Sequence, residues 1–157
     1  MLERDYLMRF LTVFAKALAE AIAKRGSKHY DDGLAIISDA FSEDKEASGL
    51  VDLPLDKFIY QVDFMEDFNA RKWSMAAEML QEKALILKAQ GKLDESQEFS
   101  LKSLHLVLEV LLSDPETYRQ SSLDLLEELR KTLSTDMLPN STLLSWEEYT
   151  SQLPGMN

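Results

Sequence analysis

Residues 90–106 read QGKLDESQEFSLKSLHL, and this stretch decides the fold. Gly91 interrupts a helical pattern, and a new helix follows it within a few residues. The small residues of that helix, Ser96, Ser100 and Ser103, recur at spacings of four and three, which places them on one face. We therefore expect the new helix to pack closely against the one before Gly91, which gives an antiparallel helical hairpin.

The remainder of the chain carries the same helical periodicity. Of its 157 residues 45% are hydrophobic, and only 5 are glycine and 4 are proline, which is little material for the turns of a many-stranded sheet. We predict a single all-α domain over residues 1–157. Its parts are repeat-like hairpins at about 2–42 and 70–112, an insert at about 50–68 and C-terminal helices at about 114–153.

Apolar spacing and capping signals predict where the helices begin and end. The first helix should cover residues 2–25, and Gly26 should end it. Residues 42–49 should form either a loop, which their polarity favours, or a solvated helix end. Pro54 is well placed to open a short helix in the insert. The other helices are expected at about 30–41, 70–90, 93–112, 114–133 and 143–153.

The segment around Gly91 resembles a tetratricopeptide repeat. In that family a first helix leads to a glycine turn, and the second helix carries small residues where the two helices cross. The segment departs from the family pattern in having Ser where Ala is usual, Lys83 where Leu is expected, and its closing proline displaced to Pro115. The residues that match the signature positions are Leu80, Ala84, Leu87, Gly91, Leu93, Ser96, Phe99, Ser103 and Leu104.

The N-terminal hairpin resembles a second copy of the repeat. The turn from Gly26 to Tyr30 is two residues longer than the turn from Gly91 to Leu93 in the other copy. Tyr30 and Leu93 also lie further apart than the ~34 residues of one repeat, so an insert intervenes. The opening residues 2–9 also resemble an uncharacterised bacterial family of helical proteins for which no activity is known. The matching residues of the first copy are Leu18, Ala19, Ile22, Gly26, Tyr30, Asp31, Asp32, Gly33, Leu34, Ala40 and Phe41.

The resemblance implies a right-handed, TPR-like array of stacked hairpins, closed by the C-terminal helices as a cap. It also implies a groove lined by the first helix of each hairpin, in which the family binds partner segments. Two repeats are fewer than the three that a stable array usually needs, so the insert, the C-terminal helices or a second copy of the chain should cover the exposed ends. The groove positions carried over from the family are Lys16, Glu20, Ala23, Gln81, Leu85 and Lys88.

Composition excludes several classes of function. The chain has no cysteine, so disulfides, thiolate metal sites and cysteine nucleophiles are absent. With only two histidines, a metal would have to rest on carboxylates, which suits calcium or magnesium better than zinc. The net charge of -11 argues against nucleic acid and anionic membrane surfaces as partners. No signal peptide or membrane span is expected, and the predicted location is the cytoplasm.

No catalytic constellation is recognisable in the sequence. Catalysis needs a nucleophile with a base, two carboxylates in contrasting environments, or a metal, and the chain shows none of these at a diagnostic spacing. His105 is interpreted as a hydrogen-bonded helix histidine rather than a general base, and His29 as a turn residue. We therefore predict no enzyme activity, no catalytic residue, no cofactor and no metal site.

The function predicted from the sequence is a non-enzymatic protein-interaction or scaffold module. Its partner would be an unidentified protein or peptide segment, or a second copy of the chain in a homodimer, held in the groove between the hairpins. A further possibility is a subunit of a larger assembly with no independent activity. The alternative from a different class is a helical bundle that binds a small ligand or acts as an enzyme through a buried polar pocket. That alternative requires several of five side chains to converge in one cavity, namely His105, Tyr60, Tyr118, Asp124 and Glu128.

Overall fold

The fold is taken from a computed structural model that describes residues 2–114, 116 and 119–152. Over those residues the chain forms eight α-helices and one 3₁₀ turn, with no β-strand, which confirms the all-α prediction. The predicted roles of Pro115 and Tyr118, and the predicted helix end at Leu153, lie outside the described residues.

The helix bounds follow the sequence signals to within about three residues, with two exceptions. These are the polar stretch after the second helix and the helix expected from about residue 114, which begins at Arg119 while Glu116 lies in a turn. The helices are α1 (Leu2–Gly26), α2 (Tyr30–Ser42), α3 (Lys45–Val51), α4 (Leu55–Asp63), α5 (Ala70–Ala89), α6 (Leu93–Ser113), α7 (Arg119–Thr132) and α8 (Asn140–Ser151), and the 3₁₀ turn is Thr135–Met137.

Helices α5 and α6 form the antiparallel hairpin predicted from residues 90–106. Gly91 has a φ of 82°, the left-handed conformation that glycine adopts without strain, and the Lys92 amide donates back to the Leu87 carbonyl at 2.9 Å. Across the hairpin the hydroxyl of Ser96 donates to the Ala84 carbonyl at 2.7 Å. Ser103 donates in the same way to the carbonyl of Ala77, also at 2.7 Å. The serines therefore allow close approach and also hydrogen-bond to the facing helix.

Helices α1 and α2 pack as a second pair, and the turn between them differs from the prediction. Gly26 is the last residue of α1, but the left-handed position after the helix is Lys28, with a φ of 65°. The His29 amide then donates to the Lys24 carbonyl at 2.8 Å, as in a glycine-type cap displaced by two residues. Gly33 is buried, and a β-carbon there would lie 2.9 Å from Ile86 Cδ1, so glycine lets α2 approach α5 closely.

The polar stretch 42–49, for which a loop was favoured, contains most of helix α3. Asp44 is the reason, because its carboxylate accepts from the Ala47 amide at 2.8 Å and so caps the first turn of the helix. The Asp44 side chain is itself buried, 3.0 Å from the Lys72 ammonium of α5. The prediction of a loop rested on the polarity of these residues. It was wrong because Lys72, which allows Asp44 to be buried, lies on a distant helix and is not evident from the local sequence.

One continuous apolar cluster holds the helices together, and α5 lies at its centre. Helix α5 contacts α1, α2 and α6, while α6 also contacts α4, α7 and α8. Trp73 of α5 is fully buried, as expected of a core residue, and Trp146 of α8 is partly buried against the same cluster. The insert α3–α4 is joined to this core by the ammonium of Lys102, which donates to the Val51 carbonyl at 2.8 Å.

Candidate functional site

A long groove follows helix α5 on the side between α1 and α7, and we call it the α5 groove. It consists of three adjoining hollows of about 520, 330 and 200 Å³. The first and second share Glu78 and Ser121 in their walls, and the second and third share Gln81 and Leu85. Along α5 the lining runs from residue 71 to residue 88, which at 1.5 Å per residue is about 25 Å.

The middle of the α5 groove combines apolar side chains with an excess of carboxylates. Leu18 and Ile22 of α1 and Leu125 of α7 form apolar walls on the two sides. The carboxylates among the lining residues of this hollow are Glu78, Glu82, Asp124 and Glu128, and its one cation is Arg25. The described lining therefore carries an excess of negative charge at neutral pH.

Arg25 and Glu82 form an ion pair across the floor of the groove. Nε of Arg25 donates to Oε2 of Glu82 at 2.6 Å, and Nη2 donates to Oε1 at 3.1 Å, the bidentate geometry favoured by guanidinium and carboxylate. The hydrogen bond to Glu82 raises the pKa of Arg25 above its ordinary value, so the guanidinium stays charged. Arg25 forms its hydrogen bonds with Glu82 and interacts more weakly with the charge of Glu128, so a single cation faces the four carboxylates of this hollow.

Glu78 is a half-buried carboxyl in the wall of the first and second hollows. Within the described part of the chain it forms no ion pair and no side-chain hydrogen bond. Burial raises the pKa of Glu78, which means that the surroundings oppose its charged form. Such an uncompensated ionisable group in a groove costs stability and is common at functional sites.

The groove residues predicted from the repeat resemblance are only partly brought together. Gln81 and Leu85 line the second and third hollows, and Lys88 lines the third. Gln81 is buried, and its side-chain oxygen accepts from the Ser100 hydroxyl at 3.0 Å, so it forms part of the floor. The other three predicted residues, Lys16, Glu20 and Ala23, are exposed on α1 and line none of these three hollows.

These three residues lie outside the groove because of the way α1 is rotated about its own axis. Its buried stripe is Phe10, Phe14, Ala17 and Ala21, whereas the resemblance placed Leu18 and Ile22 at signature positions. At about 100° per residue, the stripe and the groove residues lie on adjacent sides of the helix, and Lys16, Glu20 and Ala23 lie on the opposite flank. The α1 wall is therefore Leu11, Thr12 and Ala15 in the first hollow and Leu18, Ile22 and Arg25 in the second.

A second polar site lies between α4, α6 and the start of α8. His105 is fully buried, as a hydrogen-bonded helix histidine, with Nε2 at 2.8 Å from Asp63 Oδ1 and Nδ1 at 2.9 Å from Thr142 Oγ1. One turn further along α6, Oε1 of Glu109 accepts from the Ser145 hydroxyl at 3.2 Å. Burial is the main cause that raises the pKa of Glu109. Sequence reasoning named His105 alone, because its partners come from two distant helices.

The side chains required by the pocket alternative do not share one cavity among the described residues. His105 contacts Asp63 and Thr142, whereas Asp124 and Glu128 line the middle hollow of the α5 groove. Tyr60 is 60% exposed on α4, where its ring lies 4.6 Å from that of Phe64. Tyr118 lies outside the described residues.

Comparisons with known proteins leave the fold and the site to be interpreted from their geometry. No protein-family model, no curated protein and no solved structure matches the chain. In the part of the chain that the structure describes, no helix is both long enough and apolar enough to span a membrane.

Proposed function

We propose that the chain is a non-enzymatic interaction module that binds a partner protein segment in the α5 groove. The observation that carries the proposal is the adjacency of three hollows, which share wall residues along about 25 Å of α5. That length accommodates roughly seven extended residues or four to five helical turns.

The chemistry of the groove favours a basic, amphipathic segment as the partner. Apolar walls from Leu18, Ile22 and Leu125 would receive an apolar stripe, as in other helix-in-groove complexes. Glu78, Asp124 and Glu128 would pair with Lys or Arg residues that flank the stripe. A basic residue beside Glu78 would compensate a carboxyl that forms no ion pair with the described residues.

The proposal includes a tetratricopeptide-like arrangement of the two helical pairs α1–α2 and α5–α6. Two features support it. Helix α5 contacts both helices of the first pair, and α1 and α5 together line the groove, as the first helices of neighbouring repeats do in that family. Helix α7 contacts α6 and supplies the opposite wall of the groove, which suits a helix that closes the array.

The test is fluorescence anisotropy with two labelled 18-residue peptides. The basic peptide has Leu on one face of a helix and Lys on the other, and the acidic peptide has Glu in place of Lys. We expect the basic peptide to bind and the acidic peptide not to bind. Because a chain of net charge -11 attracts any cation, the decisive comparison is between two variants with equal change in charge. These are Asp124→Lys/Glu128→Lys in the groove and Glu127→Lys/Asp136→Lys outside it.

The groove variant should weaken binding of the basic peptide by at least about tenfold relative to the control variant, because it reverses charges that contact the peptide. When the basic peptide is added to the full chain, the amide chemical-shift changes in the NMR spectrum should lie in α1, α5 and α7. Equal weakening by both variants, or shifts confined to another face, would show that attraction to the chain is general and would overturn the proposal. A concentration-dependent dimer that the groove variant abolishes would identify a second copy, rather than a basic peptide, as the occupant.

A further inference from the structure

Three potential metal ligands converge where the end of α4 meets the middle of α6. Asp63 is the last residue of α4, and His105 and Glu109 lie four residues apart on α6, which places them on one face. One ligand atom from each of the three side chains can be chosen so that all lie within 4.8 Å of one another. Asp63 is 28% exposed and Glu109 is half-buried, so the cluster opens to solvent on one side.

Each of the three side chains is held by a hydroxyl group from the first six residues of α8. Ser141 donates to Asp63 Oδ2, Ser145 donates to Glu109 Oε1 at 3.2 Å, and the hydroxyl of Thr142 lies 2.9 Å from His105 Nδ1. With Nδ1 engaged by Thr142, the other ring nitrogen lies 2.8 Å from Asp63 Oδ1. Outer partners of this kind orient metal ligands in known sites, and here they come from one helix.

Charge at the cluster favours a cation. The charged groups that face Glu109 from the surrounding helices are Asp63, Glu148 and the imidazole of His105. Among the described residues no Lys or Arg forms an ion pair with Asp63 or Glu109. Asp63 and Glu109 supply the negative charge that a divalent ion would balance.

We propose that Asp63, His105 and Glu109 bind a divalent transition-metal ion of the Zn²⁺ type. Imidazole nitrogen and carboxylate oxygen are both ligand types that Zn²⁺ accepts, with bonds of about 2.0–2.2 Å, and three protein ligands would leave a fourth position for water. The imidazole favours first-row transition metals over Mg²⁺ and Ca²⁺, which prefer oxygen ligands alone. The ion would replace the hydrogen bond between His105 and Asp63 by two coordinate bonds, and would tie α4, α6 and α8 together. The site is separate from the α5 groove and does not depend on its function.

The experiment is calorimetric titration of the full chain with ZnCl₂, repeated with MgCl₂ and followed by Co²⁺ absorption spectroscopy. We expect one Zn²⁺ per chain, no comparable Mg²⁺ binding, and the visible bands of a low-coordinate Co²⁺ complex. Asp63→Asn and Glu109→Gln should each weaken Zn²⁺ binding by more than about tenfold, since even outer-shell changes cost about 10–100-fold. Both substitutions preserve side-chain shape, and circular dichroism verifies that the variants fold.

Two control variants separate the cluster from adventitious binding. His29→Gln removes the other histidine of the chain, which is exposed, and Asp56→Asn removes an exposed carboxylate from the same helix as Asp63. Both should bind Zn²⁺ as the unmodified chain does. The proposal is overturned if no stoichiometric Zn²⁺ binding is detected, if His29→Gln abolishes it, or if folded Asp63→Asn and Glu109→Gln bind as tightly as the unmodified chain.

Discussion

Arg25 on α1 and Glu82 on α5 form a bidentate ion pair whose carboxylate is 4% exposed. The pair joins two helices that are far apart in sequence, and it lies in the floor of the α5 groove. Burial of Glu82 is tolerable only because the guanidinium satisfies both of its oxygens. The pair therefore links the stability of the fold to the charge of the groove.

Replacing Arg25 with Met should destabilise the chain. The substitution leaves a buried carboxylate without its partner, which costs about 2 kcal/mol. The melting temperature should fall by roughly 4–8 °C, since 1 kcal/mol corresponds to about 2–4 °C in a domain of this size. The double variant Arg25→Met/Glu82→Gln should recover most of the loss. Lys16→Met on the exposed flank of α1 is the control, and a loss as large there would contradict the assignment.

Glu78→Gln should stabilise the chain at neutral pH and not at acid pH. The folded-state pKa of Glu78 is raised by burial, so the stability linked to its protonated form is present below the unfolded pKa of about 4.3 and is lost as pH rises through the folded pKa. The neutral glutamine avoids that loss. Urea unfolding should therefore show the variant to be more stable at pH 7 and equal to the unmodified chain at about pH 3.5.

Glu20, which is exposed on α1 outside the groove, provides the control for this pH dependence. Glu20→Gln should change stability little at either pH. If Glu78→Gln proved destabilising at pH 7, Glu78 would have to hold a stabilising partner in solution, and the view of the groove as an uncompensated acidic site would be wrong.

Lys72→Met should be among the more damaging substitutions in the chain. The Lys72 ammonium lies 3.0 Å from buried Asp44 and 2.8 Å from Glu46, and it donates to the Tyr6 hydroxyl at 3.1 Å. Methionine retains the apolar stem but leaves Asp44 buried and unpaired, at a cost of about 3 kcal/mol. The melting temperature should fall by roughly 10 °C. Adding Asp44→Asn should restore part of the stability, because the amide oxygen still caps α3.

A matched control for Lys72→Met is Lys57→Met, which removes an exposed ammonium from α4. It should change the melting temperature by no more than about 2 °C, as surface substitutions usually do. If Lys72→Met and Lys57→Met lowered the melting temperature equally, the ion pair between Lys72 and Asp44 would contribute nothing to stability.

Two serine-to-alanine substitutions should have opposite effects on stability. Ser122 of α7 is buried and its hydroxyl has no hydrogen-bond partner among the described residues, so Ser122→Ala removes an uncompensated polar group. We expect a gain of about 1 kcal/mol in the free energy of unfolding. Ser103→Ala instead removes the 2.7 Å bond to the Ala77 carbonyl and should cost up to about 1 kcal/mol. Chemical denaturation measures both, and the same sign for both would contradict the hydrogen-bond assignment.

Local patterns made much of the fold predictable. Gly91, the serines of α6 and the apolar spacing of α5 act within one or two helical turns, and they correctly predicted the α5–α6 hairpin. The same patterns misjudged residues 42–49, where the stabilising partner of Asp44 is a lysine on another helix. The repeat resemblance, not these patterns, implied a groove along α1 and α5, and three of the six positions that it implied line the α5 groove.

The sequence by itself determined most of the helical segments, where most of them begin and end, and that their apolar faces must pack together, because these properties depend on neighbouring residues. The rotational setting of α1 was decided only by tertiary packing. Alanine at alternate positions from 15 to 23 leaves that helix with no strongly preferred face, and contact with α2 and α5 selects one. The Arg25–Glu82 pair and the cluster around His105 were decided in the same way, because each joins residues that only the folded helices bring within bonding distance.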